Sequence, residues 1–211
     1  MAIIHYEGPL GIFDYDDHVF YLTTQHISYE DIRGKEVLQC SDVDATYATI
    51  PKGIIDCSYM FAECSKLVIQ PEIPDGVIDC TGMFRDCKML QQTTPIPSTV
   101  KYCKDMYRGC KSLVKAPKIP IGVENCSGMF AGCSSLVEGL NIPYGVKDCF
   151  AMFATCTSLV EVPTDIIPET VEYCSRMFAG CTSLTNTVVI PATVKMSYNM
   201  FINCDSLKSQ W

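Results

Sequence analysis

Fourteen cysteines stand in this chain of 211 residues, beside three histidines. Thiols offer metal ligation, disulfide bonding, nucleophilic attack or plain burial. A zinc site needs about four ligands, usually supplied as Cys-x2-4-Cys pairs or with histidine. The pairs here are spaced Cys-x6-Cys, as in Cys57 and Cys64, and His5, His18 and His26 stand apart from them. Metal binding is disfavoured, and no cofactor is expected. Seven residues of helix would separate Cys57 from Cys64 by roughly 10 Å, too far for a disulfide. Copies stacked at about 4.8 Å would point their side chains the same way, which also bridges poorly. A nucleophilic cysteine needs a neighbouring base, and no cysteine here is distinguished from its fellows. The remaining reading is burial, since free cysteine is a small, commonly buried hydrophobe.

The spacing of the cysteines leads to the elements that hold them. Cys57, Cys80, Cys103, Cys126 and Cys149 recur every 23 residues, Cys174 follows after 25, and Ser197 takes the same place 23 residues later. A second column, Cys64, Cys87, Cys110, Cys133, Cys156, Cys181 and Cys204, runs seven residues behind. Only Cys40 stands outside both. Between the columns lies Met followed by an aromatic residue, from Met60-Phe61 to Met200-Phe201, and a leucine follows each second cysteine by three residues. Each unit also carries Ile-Pro with Val or Ile three residues after the proline.

A 23-residue unit cannot bury its own apolar face, so the copies must stack into a solenoid. Cys57, Met60, Phe61 and Cys64 lie at i, i+3, i+4 and i+7, which predicts one face of a two-turn helix. The stretch Leu67 to Val77, broken by Pro71, Pro74 and Gly76, predicts short strands joined by turns. The expected fold is therefore α/β, with parallel strands on successive rungs. Lys101, Glu124, Lys147, Glu172 and Lys195 alternate in sign at one place in the unit, which favours this register over a slipped one.

Residues 1–49 lie outside the repeat. The segment Ile12 to Leu22 reads as a hairpin with an acidic turn, Tyr29 to Ile32 as a turn of helix, and residues 1–49 together as an N-terminal cap on residues 50–211. Asp14, Asp16 and Asp17 do not make a calcium loop, because Val19 and Gln25 stand where its glycine and glutamate belong. The chain's start has no Lys or Arg and no continuous apolar run, so it does not read as a secretory signal. No apolar run approaches the roughly 20 residues of a membrane span. Free thiols then point to a reducing compartment and the cytoplasm. At the other end, Lys208 to Trp211 are too few for a polar cap, although Trp211 could fold over the last rung. End-to-end self-association or partner binding is expected at that C-terminal rung.

Charge is unevenly spread. The whole chain carries -8. Residues 1–56 hold 10 acidic and 3 basic residues, a net of -7. Residues 85–118 hold 8 basic and 2 acidic, a net of +6, whereas residues 119–175 come to -6. The basic positions Arg85, Lys88, Lys104, Arg108 and Lys111 are candidate partner-binding residues, because a local cationic patch steers an acidic partner. The lengthened unit supplies three more candidates, Val162, Thr164 and Asp165, since insertions in solenoids bulge from one face. Nucleic acid is not expected, given an overall pI of about 4.8 and no aromatics interleaved with the cations.

The unit Met129-Phe130-Ala131-Gly132-Cys133-Ser134-Ser135-Leu136, with Asn141-Ile142-Pro143 and Val146, resembles the BspA-like leucine-rich repeat family and the related Met-Phe surface repeats of mycoplasmas. The likeness covers residues 50–207. It departs from the commoner pattern by placing a cysteine where Ile-Gly is usual and Met where Ala is usual. The resemblance implies a leucine-rich-repeat solenoid of about seven units, with strands on one side and short helical turns on the other. It also implies a bacterial or phage origin, a protein-binding or adhesive role, and no catalytic residues. The expected function is a non-enzymatic protein-binding scaffold. A surface adhesin or virion component, or a phage-type inhibitor that blocks a host enzyme by binding, are the alternatives.

Overall fold

The computed structural model of this chain describes residues 4–8, 11–16, 19–22, 50, 52–138 and 141–208. Tyr29 to Ile32, Cys40 and Trp211 lie outside them. Three strands, β1 (Ile4–Gly8), β2 (Gly11–Asp16) and β3 (Val19–Leu22), form an antiparallel sheet in that order. Phe13 pairs with Leu22 and Asp16 with Val19, so β2 and β3 make a hairpin.

The rest is a stack of rungs. One ladder of parallel bridges runs Asp56, Asp79, Tyr102, Asn125, Asp148, Tyr173 and Met196, one residue before each place of the first column. A second joins Ile69 to Gln92 and Lys115 to Glu138. Strands on the rungs are thus reduced to isolated bridges, because prolines and turns interrupt each strand before it can lengthen. Apolar columns fill the interior: Cys80, Met83, Phe84, Cys87, Leu90 and Val100 are all 0% exposed, as are most of their equivalents. The aromatic rings form one continuous stack from Phe61 to Phe201, with centroids 5.6 to 5.7 Å apart.

The expected helix between the cysteine columns is not there. Met60 N donates to Cys57 O, and Cys64 N to Phe61 O, which are i to i+3 turns. The third residue of each turn has φ > 0, at Tyr59 (56°) and Glu63 (63°), as in a type II turn. Alternate N–H groups leave the rung altogether. Those of Cys57, Tyr59, Phe61 and Glu63 donate to the carbonyls of Asp79, Thr81, Met83 and Arg85 on the next rung, at 2.6 to 2.9 Å. The same pattern recurs up the stack to Gly180 N, which donates to Ile202 O. Two adjoining turns put residues at i, i+3, i+4 and i+7 on the inside just as a helix does, which is why the spacing imitates one. Among the described residues the one α-helix is α1 (Asp205–Lys208).

Left-handed backbone therefore recurs twice per rung. Glycine holds five of these places: Gly82, Gly109, Gly128, Gly132 and Gly180. Crowding from the preceding rung adds a second reason at three of them, with a Cβ on Gly82 meeting the Tyr59 ring. A Cβ on Gly109 would meet the Asp86 carboxylate, and one on Gly128 would meet that of Asp105. Nine other residues adopt the same conformation without that freedom, among them Ala151, Thr155 and Arg176.

Candidate functional site

All thirteen cysteines among the described residues are free and buried. In the second column each Sγ from Cys87 to Cys204 donates a weak hydrogen bond to the carbonyl of the aromatic residue one rung back, such as Cys110 to Phe84 O at 3.1 Å. Desolvation pushes up the thiols of Cys110, Cys133, Cys156 and Cys181, with Cys133 and Cys181 at about 12. They are protonated at neutral pH and sealed from solvent, so they fill space rather than attack or ligate. Among the described residues no three metal-ligating side chains converge on a common site.

One polar group interrupts the aromatic stack. Tyr107 replaces phenylalanine and donates to Gln70 Oε1 at 2.6 Å, while Gln70 Nε2 donates to Thr94 Oγ1 at 2.7 Å. This buried network ties three rungs together. Tyr107 and Gln70 are buried and Thr94 is half-buried, so the network holds the rungs together rather than presenting a site.

One accessible feature is a trough of about 930 Å³ along the face formed by the turns; a depression of similar volume lies on another face, lined by Gln92, Thr94, Ile96, Pro117 and Ile121. The floor of the trough consists of small residues on successive rungs, Ala131-Gly132, Ala154-Thr155 and Ala179-Gly180. Lys104, Arg108 and Lys111 stand on its rim at one end beside Asp86 and Asp105, Asp148 lies between, and Arg176, Ile202 and Asn203 stand at the other end. Phe150, 46% exposed, projects beside it. Neither the trough nor its small-residue floor was among the sequence expectations. The signal was present in the residues just before the second cysteine column, where Ala-Gly and Ala-Thr recur.

The predicted basic residues fall into two groups. Lys104, Arg108 and Lys111 line the trough, and Arg85 and Lys88 stand on the preceding rung outside its lining. Arg85 Nε pairs with Asp86 at 3.4 Å, and Arg108 Nη1 with Asp105 at 3.3 Å. Both arginines are thus partly neutralised within their own rungs. Lys88, Lys104 and Lys111 are exposed and make no ion pair among the described residues. In the alternating charge column, Lys195 and Glu172 meet at 2.6 Å, and the carboxyl of Glu172 is lowered by that hydrogen bond.

The lengthened unit is less of a bulge than expected. Val162 is buried at 5% exposure, so it cannot contact a partner. Its backbone is clamped at both ends by Asn186, which accepts from Val162 N at 3.0 Å and donates to Val162 O at 2.7 Å. The two extra residues are absorbed by a turn from Pro163 to Ile166 that tucks Ile166 and Ile167 inward. Thr164 and Asp165 remain exposed. A shallower depression of about 530 Å³ beside them is lined by Lys115, Lys118, Glu138, Glu161 and Pro163.

The chain matches the family described as the BspA type leucine-rich repeat region, in six copies, over residues 39–137 and 80–208. Among solved structures it is similar to a leucine-rich repeat protein from Bacteroides ovatus. That chain is 15% identical, with 97% of this chain and 91% of that one covered, at a TM-score of 0.23. No curated protein matches.

Proposed function

Because this chain belongs to the BspA-type leucine-rich repeat family, we propose that it is a non-enzymatic scaffold that binds a protein partner along the turn-side trough. The family's repeats commonly mediate protein interactions and are generally non-enzymatic. The observation that carries the reading is the trough itself, with a floor of small side chains and a rim of exposed lysines. Glycine and alanine let a partner approach the backbone closely, and the rim cations favour an acidic partner. A preformed rod also loses little freedom on binding.

Capture from the native host, read by mass spectrometry, tests this with two variants of separate kinds. Ala154→Arg fills the trough without altering the rim. Lys104→Glu with Lys111→Glu reverses rim charge while leaving the Arg108–Asp105 pair intact. Each should deplete the same captured protein at least tenfold relative to wild type. A partner retained equally by both variants would remove the trough from the reading.

The thirteen buried free thiols support a reducing, cytoplasmic compartment. Counting thiols on denatured, unreduced protein purified from its host tests that placement. About 14 free thiols are expected, and widespread oxidation would favour the surface or virion reading.

A further inference from the structure

We propose that the cationic rim of the trough takes, as its acidic partner, the N-terminal segment of a second copy of this chain. The proposal rests on reading the rim as a binding surface and goes on to name what binds there. Two surfaces of one molecule are complementary. Residues 1–49 contain nine acidic and two basic residues, a net of -7. Within them, residues 4–22 hold Glu7, Asp14, Asp16 and Asp17 and no Lys or Arg. Asp16, paired with Val19, closes β2 at the end of a hairpin, and Asp17 follows it in sequence. Residues 85–118 supply the counterpart, a net of +6 concentrated on adjacent rungs.

The cluster's own ion pairs show what it still lacks. Among the described residues, those pairs are Arg85–Asp86 and Arg108–Asp105, both made inside the cluster. Lys88, Lys104 and Lys111 are left as exposed cations without an acidic partner there, and two of them flank the trough. An N-terminal segment with a net charge of -7 has the charge to satisfy them, and the floor of small side chains leaves room for its backbone.

Because the acidic and basic surfaces differ, the contact is head-to-tail. Each bound copy leaves one surface of each kind unused, so the assembly grows by successive addition rather than closing at a dimer. Surface attraction of this kind is screened by salt. The Debye length is about 10 Å at 0.1 M and about 3 Å at 1 M, so the assembly should disperse as salt rises.

The test uses the full chain in sedimentation velocity across salt. Wild type should form a concentration-dependent series of species at about 20 mM salt and become monomeric at about 0.5 M. Lys88→Glu/Lys104→Glu/Lys111→Glu and, separately, Asp14→Lys/Asp16→Lys/Asp17→Lys should each be monomeric alone. Mixed one to one, they should associate again, because the reversed acids of one meet the reversed lysines of the other. Circular dichroism of each variant checks that the fold is kept, and recovery in the mixture shows it independently. A monomer at every salt concentration would overturn the proposal. So would a closed dimer with no larger species, or association untouched by either triple variant. If the chain is monomeric yet host-protein capture still depends on Lys104 and Lys111, the self-association fails while the rim remains a binding surface.

Discussion

Replacing Ala151 with glycine should stabilise the protein, whereas the same change at Ala154, three residues away, should destabilise it. Ala151 has φ 51°, and Ala154 is not among the residues with positive φ. A left-handed conformation costs a non-glycine residue roughly 1–2 kcal/mol. Glycine relieves that cost, but it also frees the unfolded chain, which takes back roughly 0.4–1 kcal/mol. The net for Ala151→Gly is a gain of about 0.5–1 kcal/mol. At Ala154 no strain is relieved, and the entropy alone costs about 0.5–1 kcal/mol. Urea unfolding followed by circular dichroism reads both. With a slope of about 2.5 kcal/mol/M, the midpoint should rise by about 0.2–0.4 M for Ala151→Gly and fall by a similar amount for Ala154→Gly. In an α-helix both changes would be destabilising, by about 1 kcal/mol each. Two losses of similar size would therefore refute the paired-turn backbone and restore the helix that the cysteine spacing suggests.

Three further outcomes follow from the interior. Tyr107→Phe should cost about 1–3 kcal/mol by leaving buried Gln70 Oε1 unpaired. Adding Gln70→Leu should return most of that loss, and a double variant as unstable as the sum of the singles would contradict the pairing. Serine should be tolerated better at Cys110, where the Phe84 carbonyl accepts a hydrogen bond, than at Cys103, where no thiol hydrogen bond is made; the difference in unfolding free energy should be about 1–2 kcal/mol. Stability should also fall in alkali. Burial raises the folded pKa of Cys57, Cys133 and Cys181 from 9.0 to about 12, so below 9 the thiols are protonated in both states and stability is unaffected. Above 9 the unfolded chain loses protons first, and each such thiol removes up to about 1.4 kcal/mol per pH unit until about 12. A midpoint unchanged between pH 8 and 10.5 would show that the thiols are not buried.

The core was readable because identical residues recur at a fixed interval, and a column of Cys, Met, Phe or Leu has nowhere to go but inward. Backbone conformation was harder to read. The i, i+3, i+4, i+7 spacing of Cys57 to Cys64 fits a helix and a pair of turns equally. The glycines two and six residues after the first column, such as Gly128 and Gly132, discriminate between them, since a helix has no use for left-handed residues at those points. Charge clustering at Lys104, Arg108 and Lys111 was visible in the residue counts. Its relation to the trough was not, because a trough is made by what is missing from Ala131, Gly132 and Ala154. Val162 illustrates the converse, an insertion read as a surface feature that a turn and Asn186 draw into the core.

The four cross-rung hydrogen bonds of the turn face all run in one sense, with N–H aimed toward the later rung and C=O toward the earlier one. Each peptide unit carries a dipole of about 3.5 D, and units placed head to tail add. Bonds in the neighbouring ladder, such as Lys101 N to Ile78 O, run the opposite way and cancel part of the sum. The four columns of the turn face still outweigh these opposed bonds along the trough. A ligand lying there experiences a field directed along the rod, so its two ends are not equivalent even over a floor of identical alanines. An elongated partner is given a preferred direction by the backbone before any side chain reads its sequence.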